Sequence, residues 1–393
     1  MAITRRTAAL AAALPLALLL GACAATGDAG DTAGTTQTAP AESGDAGGGD
    51  ATAAVAAAQA EVDAVSTAPD QIFVTEPLSG SVAGKKLIYA EPALPIGAII
   101  GDRIAEAAGE IGFDLARVDI GADPAAIATG MDEIVRLQPD AVIVTAFDPG
   151  TFWKSQAEQL EAAGVPTILI GGIACDDILA DCGSGDVGVS LALVAGAVSE
   201  QMGKILAAKV IVDAGGEANG VYFGDPTLGN SPYLSKGFVD RLAECSTCSG
   251  RNQDVSGADA GQALPGQIVS FLQANPDVNY AMLQYGDFAI GVPQALQAAG
   301  MSDFHFVTQG SSPAQYDDIK AGGSQIADVP VPLGYIGYLA VDSAARFILG
   351  DEVTAAQVEQ PMVLFTKDFL DTSDDGFWPG VEGYRDQFKA LWQ

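Results

Sequence analysis

The residues of this 393-residue chain that could do chemistry are five cysteines, one histidine and a scatter of carboxylates, amides and aromatics. Cys175, Cys182, Cys245 and Cys248 form an even set. Cys245-Ser-Thr-Cys248 has the spacing of a redox couple, but thiolate chemistry wants such a motif at the start of a helix, whose N-terminus stabilises the anion. Here it follows a helical pattern that ends near Glu244, which points to a structural clip. Four cysteines allow three pairings, of which the local ones, Cys175–Cys182 and Cys245–Cys248, are the simplest. A four-cysteine zinc site is the remaining use of the same residues. His305 is the only histidine and lacks the partners that common metal-ligand sets require. With no Ser-His-Asp set, no phosphate-cradling Gly-rich loop and no metal-ligand cluster, no catalysis, metal or cofactor is expected.

The groups left over are suited to gripping a small solute: Glu91, Phe147, Asp148, Asp225, Asn230, Tyr233, Tyr285, Asp287 and Gln309. Most have a bland alternative. Asp148 precedes a proline and Asp287 a helix, so either could be an N-cap. Tyr285 could be core, and Phe147, Tyr233 and Phe288 could be lobe packing. Glu91 sits in a Pro-flanked loop with no capping role in view, which favours contact.

What must position these residues is an alternation of strands and helices. KKLIYAE (85–91), LARVDI (115–120), AVIVTA (141–146) and TILIGG (167–172) read as strands, separated by helical patterns over Ile96–Gly112 and from Asp123-Pro124 onward. Asp123 is placed to cap, and Pro124 fits a first helical turn. Runs apolar on both faces belong in a parallel sheet covered by helices, and such sheets bind ligands beyond the carboxyl ends of their strands. That directs attention to Glu91, Phe147, Asp148 and the Gly171-Gly172-Ile173 turn. The pattern continues with a helix over Leu191–Val212 and with strands NGVYFG (219–224), RNQDVS (251–256), YAMLQY (280–285), HFVTQ (305–309) and SQIADVPV (324–331), each followed by a helix. A last strand is expected over VEQPMVLFT (358–366), then an aromatic closing helix before Gln393. The fold class is α/β, with two doubly wound parallel-sheet lobes.

The first 22 residues carry Arg5 and Arg6 and then an apolar stretch from Ala8 to Leu20, too short to span a bilayer, for which roughly 20 residues are needed. Leu20-Gly21-Ala22-Cys23 resembles the bacterial lipobox, which implies cleavage before Cys23 and its lipidation. Residues 23–50, rich in Gly, Ala, Thr, Asp and Ser, would be a flexible tether. Without its first 22 residues the chain has 16 basic and 50 acidic side chains, a net charge of −34. That makes nucleic acid a poor partner, because phosphate binding needs clustered Lys and Arg.

Several stretches in order carry a wider resemblance: GFDLARVD, LQPDAVIV, LEAAGVPTILI, ANPDVNYAMLQYGDFAIGVPQALQAAG and the C-terminal YRDQFKALW. Over about residues 51 to 393 the chain resembles sugar-type periplasmic binding proteins, and more closely the lipoprotein substrate-binding subunits of ABC importers in Gram-positive bacteria. The resemblance implies two Rossmann-like lobes joined by three strands, a ligand cleft between them and an ABC permease as partner. It also implies a monomer held outside the cytoplasm on the cell membrane by its lipid. The expected division is residues 51–84 as N-terminal helix and leader, 85–187 plus 332–351 as lobe one, 188–331 plus 352–371 as lobe two, and 372–393 as tail. Crossings are expected near Val187–Val189, Val329–Pro332 and Asp351–Thr354. A ligand-sensing receptor for a membrane signalling partner would use the same fold.

At the ligand positions the chain departs from the sugar-binding pattern. Glu91-Pro92-Ala93-Leu94-Pro95 stands where Asn and Phe are usual, Gly172-Ile173 for an Asp-Arg pair, and Asn230-Ser231-Pro232-Tyr233-Leu234 for an Arg-rich helix start. Tyr285-Gly286-Asp287 replaces an Asn-Asp pair, and Gln309-Gly310 an Asp. Bidentate carboxylate and guanidinium grips on vicinal hydroxyls are largely missing, which tilts the expectation toward a less polar, aromatic or cationic ligand. For the anchor, the expected outcome is that a Cys23→Ser variant leaves the membrane fraction on cell fractionation. Retention at wild-type levels would contradict lipidation.

Overall fold

The apolar runs become strands because helices cover both of their faces. The computed structural model describes residues 46–171, 188–194, 196–354 and 359–393. After a first helix, α1 (Ala46–Ala64), come β1 (Lys86–Pro92), α2 (Pro95–Ile111), β2 (Asp114–Gly121), α3 (Pro124–Leu137), β3 (Ala141–Thr145), the short α4 (Pro149–Phe152), α5 (Lys154–Ala162), β4 (Thr167–Ile170) and β5 (Leu191–Leu193). The five strands are parallel in the order β2-β1-β3-β4-β5. The chain continues through α6 (Gly196–Asp213), β6 (Asn219–Gly224), α7 (Ser231–Ala243), β7 (Ser249–Asp254), α8 (Leu264–Ala274), β8 (Tyr280–Leu283), α9 (Val292–Ala298), β9 (His305–Gln309), α10 (Pro313–Ala321) and β10 (Gln325–Val329). These strands make a second parallel sheet, β10-β9-β8-β6-β7. Counted within its own sheet, each lobe has the order 2-1-3-4-5. The order reverses between β1 and β3 in one lobe and between β6 and β8 in the other, and that reversal opens a crevice at the strands' carboxyl ends.

Period-two alternation sorts each strand between two cores. In lobe one Leu87, Tyr89, Ile143 and Leu193 face α2 and α11 (Leu333–Leu349), whereas Ile88, Ala90, Val142 and Leu169 face α3 and α5. In lobe two Tyr222, Met282 and Val307 face α6 and α7, while Val221, Phe223, Leu283 and Phe306 face α8 and α9. α6 and α7 approach so closely that a side chain at Gly237 would run into the backbone at Glu200. Asp123 does cap α3, accepting from the amides of Ala125 and Ala126.

Three expectations need correction. Leu191–Leu193 does not start a helix; it pairs with β4 as the fifth strand of lobe one, and the helix begins only at Gly196. The chain therefore leaves the first sheet after Leu193, not near Val187–Val189. Nor is 358–366 a strand over its described part: the antiparallel pairing there is two isolated bridges, Asp328 to Phe365 and Thr366 to Phe369. Residues 330–332 do cross, from β10 to α11. The third expected crossing, Asp351–Thr354, is described only as far as Thr354, and its Asp351 N–H still bonds the Arg346 carbonyl of α11. The 355–358 stretch after it lies outside the described residues, as do Gly172-Ile173 and the signal and tether as far as residue 45.

Segments flanking the two sheets bind both lobes. α1 lies on α6 through Ala58, Val55 and Val62, and Glu61 pairs with Arg241 at 3.0 Å. The leader then buries Ile72, Val74 and Val82 in lobe one, where Arg346 donates to the Glu76 carbonyl at 2.5 Å. α11 is buried from Leu333 to Arg346, and its Asp342–Arg346 pair, 2.7 Å, sits inside. The pair is tolerated because the Trp392 indole and the Glu76 carbonyl satisfy what remains. The C-terminal helix α12 (Tyr384–Leu391) closes over α11, with Trp392 stacked on Tyr338 at 5.6 Å.

Near the end of β10 the Asp328 carboxyl is fully buried. Its Oδ1 accepts from the Thr308 hydroxyl at 2.6 Å and the Ser311 amide at 3.1 Å, and its Oδ2 has no partner. Burial pushes this acid up to about 7, despite those hydrogen bonds. Because the folded-state value lies above the unfolded one, the contribution is fully present below pH ~4 and is lost as pH rises to about 7. Stability is thus expected to fall from pH ~4 to about pH 7. Denaturant melts of Asp328→Asn should show that loss abolished or much reduced; an unchanged pH slope would contradict the assignment.

Candidate ligand-binding site

Both crossings that leave a sheet directly do so from its carboxyl edge: Val194 follows β5, and residues 330–332 follow β10. The crevices of the two sheets therefore open on the side where the lobes are joined. Val194 packs against cores of both lobes and holds φ at 58°, a conformation costly for a β-branched residue. A second strained residue, Ala146 at φ 79°, turns the chain out of β3 into the lobe-one crevice.

The lobe-one residues are positioned at this edge but mostly committed elsewhere. Glu91 is the second-last residue of β1, and Arg117 on β2 clamps both its oxygens, Nε to Oε2 at 2.6 Å and Nη2 to Oε1 at 2.8 Å. The carboxylate, above all, raises the guanidinium further, and Asp102 adds a second partner at 2.6 Å. Asp148 is a cap: Gly150 N–H and the Thr151 hydroxyl donate to it, both at 2.9 Å, at the start of α4. Phe147 is half-buried, its ring 5.4 Å from Phe152 and its carbonyl taking the Trp153 indole proton.

In lobe two Asp225 closes the turn after β6. Burial works against its ionisation, but the Thr227 hydroxyl and the amides of Gly257 and Thr227 outweigh it and hold the acid below its usual range. Asn230, Gln284 and Tyr285 form one network. Asp225 N–H donates to Gln284 Oε1 at 2.7 Å, Gln284 Nε2 to Asn230 Oδ1 at 3.1 Å, and the Tyr285 hydroxyl to the same oxygen at 2.6 Å. Burial pushes the Tyr285 phenol up to about 12. Its ring meets Phe288 edge-on at 6.1 Å, and Phe288 itself is core. Gly286 has no room for a side chain against Ser311, which locks the Tyr285 loop to the end of β9. Gln309 ends β9, 3 % exposed, with its Oε1 unpartnered. Tyr233 is half-buried in the first turn of α7, and Asp287 is exposed and caps nothing.

Arg117 and Gln284 bond the candidate residues Glu91 and Asn230, which residue types alone did not reveal. Gln284 is a lone amide inside an apolar run, which is the available signal; Arg117 has none, because its role depends on sheet register. His305 lies at the far, amino end of β9, 3.2 Å from Asp213. Cys245 and Cys248 are joined, S–S 2.13 Å, beyond the end of α7, and Thr247 hydrogen-bonds the Gly216 carbonyl beside them. Cys23, Cys175 and Cys182 lie outside the described residues. Among the described residues no cluster of three or more His, Cys, Asp or Glu could hold a metal, and no helix is long and apolar enough to cross a membrane. Two cavities lie away from the crevice. One, about 320 Å³, is lined by Glu161, Pro166, Ser190 and Phe347; the other, about 540 Å³, lies between the leader and Arg346 and Asp351.

Residues 97–352 match the family described as periplasmic binding protein domain. Solved structures are similar in fold. An ABC sugar transporter subunit from Rhodobacter sphaeroides is 19 % identical, with 74 % of this chain and all of that one aligned and a TM-score of 0.62. A 5-methylthioribose transporter solute-binding protein from Thermotoga lettingae is 16 % identical over 81 % of this chain and 99 % of its own, TM-score 0.64. A periplasmic ribose ABC transporter protein from Conexibacter woesei is 20 % identical over 74 % and 94 %, TM-score 0.61. No curated protein sequence matches the chain. With two 2-1-3-4-5 sheets joined at their carboxyl edges and most of its length matched, the chain belongs to the periplasmic binding protein family and has its two-lobe type I fold.

Proposed function

We propose that the protein is an extracytoplasmic solute-binding lipoprotein that captures a small organic molecule between its lobes and delivers it to an ABC importer. What supports this reading is that both sheets are joined at their carboxyl edges, with Asn230, Tyr285 and Gln309 at that edge of one and Phe147 and residues 92–96 at that edge of the other. Nothing in the set suits bond-breaking: Glu91 is clamped, Asp148 caps a helix, Asp225 is held in a turn, Asp287 stands in solvent, and His305 is remote. Binding without chemistry fits it better. The family and the sugar-transporter neighbours support transport, with a permease as the receiving partner and a sugar-like or less polar solute as cargo. The Leu20–Cys23 box supports a lipid anchor, which would keep a monomer of net charge −34 near the membrane without asking its surface to bind anionic headgroups.

The test is calorimetry on the solute found by a thermal-shift screen of sugars, aromatic acids and amines. Tyr285→Ala should cost about 1–3 kcal/mol of binding, mostly as faster release. Bound solute should also raise the melting temperature as its concentration passes the dissociation constant. Unaltered affinity in the variant would return Tyr285 to the core and remove it from the site.

A further inference from the structure

The hydrogen-bond order in lobe two determines what the ligand must bring. A backbone N–H can only donate, so Asp225 N fixes Gln284 with Oε1 toward it and Nε2 toward Asn230. That in turn fixes Asn230 with Oδ1 inward, where it also takes the Tyr285 proton. The Asn230 NH₂, on a residue 7 % exposed, is left as a donor without a partner among the described residues. The Tyr285 oxygen, its proton spent, can only accept. Gln309 adds a buried amide whose Oε1 accepts from nothing. The Gln309 oxygen is a buried group of the kind that is normally satisfied, and the Asn230 NH₂ is a donor at the same carboxyl edge of the sheet; together they call for a partner from outside the chain.

None of these groups is charged. Glu91, Asp148 and Asp225 are each consumed by Arg117, a helix start and a turn, and Asp287 stands out in solvent. The apolar side is as clear. Among the described residues, the large hydrophobics that stand exposed are Leu94 and Ile96 after β1, Leu228 after β6, Ile290 after β8 and, away from these edges, Leu137. Lobe one thus meets the crevice with Ala93, Leu94, Ile96, Ala146 and Phe147, and burying hydroxyls there without partners is costly.

Building on the solute-binding reading above, we propose that the site takes an uncharged amphipathic solute. Its hydrogen-bonding edge presents an acceptor to Asn230 and donors to Gln309 and Tyr285, and its alkyl or aryl portion lies against the 93–96 and 146–147 loops of lobe one. A free sugar would leave hydroxyls dry on that side, and among the described residues a cation would find the strand-end carboxylates Glu91, Asp148 and Asp225 already occupied.

The test is calorimetry of the full chain against uncharged alkyl and aryl glycosides, their parent sugars, and the matching amino sugars and sugar acids. The alkyl or aryl members should bind at least about tenfold more tightly than the parents, as burial of a few methylenes implies, and charged members should not bind measurably. Asn230→Asp and Gln309→Glu should each weaken the best member about tenfold or more. Leu94→Ser, at an exposed position, should narrow the gap between substituted and parent compounds. Tighter binding of parents or charged members that still responds to Asn230→Asp or Gln309→Glu overturns the ligand class and leaves the cleft reading standing. Binding that ignores both substitutions, or no binding across the panel, overturns the class and removes the support for the cleft as well.

Discussion

One residue has to serve two cores. Val194 is the link between the last strand of lobe one and the first helix of lobe two, and it packs against both while held at a positive φ. The chain must turn there within a residue or two, because β5 ends at Leu193 and α6 begins at Gly196. A left-handed residue achieves that turn at some energetic cost, and such strain persists only where the surroundings over-determine it. The consequence is architectural. Both sheets are joined at their carboxyl edges, so the switch-point crevice of each, where a parallel sheet holds a ligand, lies beside the joint.

Around that joint, charge is spent on structure and neutrality is left for function. The chain is strongly acidic, yet the carboxylates nearest the crevice are locked by Arg117, by helix α4 and by the Asp225 turn. What stays available is the phenol and two amides, with Asn230 oriented by a relay that begins at a backbone N–H. Asp328 belongs to the same economy. Buried, with its acid pushed up to about 7, it holds the Ser311 amide in the turn against which Gly286 seats the Tyr285 loop.

Much of the fold was legible because doubly covered strands are apolar throughout: Ala141–Thr145, Thr167–Ile170 and Tyr280–Leu283 announce themselves. Leu191–Leu193 did not, since three apolar residues ahead of a helix look like its first turn, and only pairing with β4 makes them a strand. The 358–366 run had strand composition but found only isolated bridges over its described part, to Asp328 and to the nearby Phe369. For the site, position was legible and partnership was not. Glu91 reads as a strand-end carboxylate, but the arginine that disarms it is set by register, with Tyr89 opposite Arg117 and Glu91 opposite Asp119. Periodicity places a residue on a face; it does not say which neighbour will share that face.

The account rests on the lobes moving about the Val194 and 330–332 crossings to enclose a solute. Small-angle scattering of the full chain, with and without the solute giving the largest thermal shift, tests that directly. Closure predicts a smaller radius of gyration with solute bound, as expected of hinge motion between two lobes. Superimposable curves under conditions where calorimetry records saturation would contradict it.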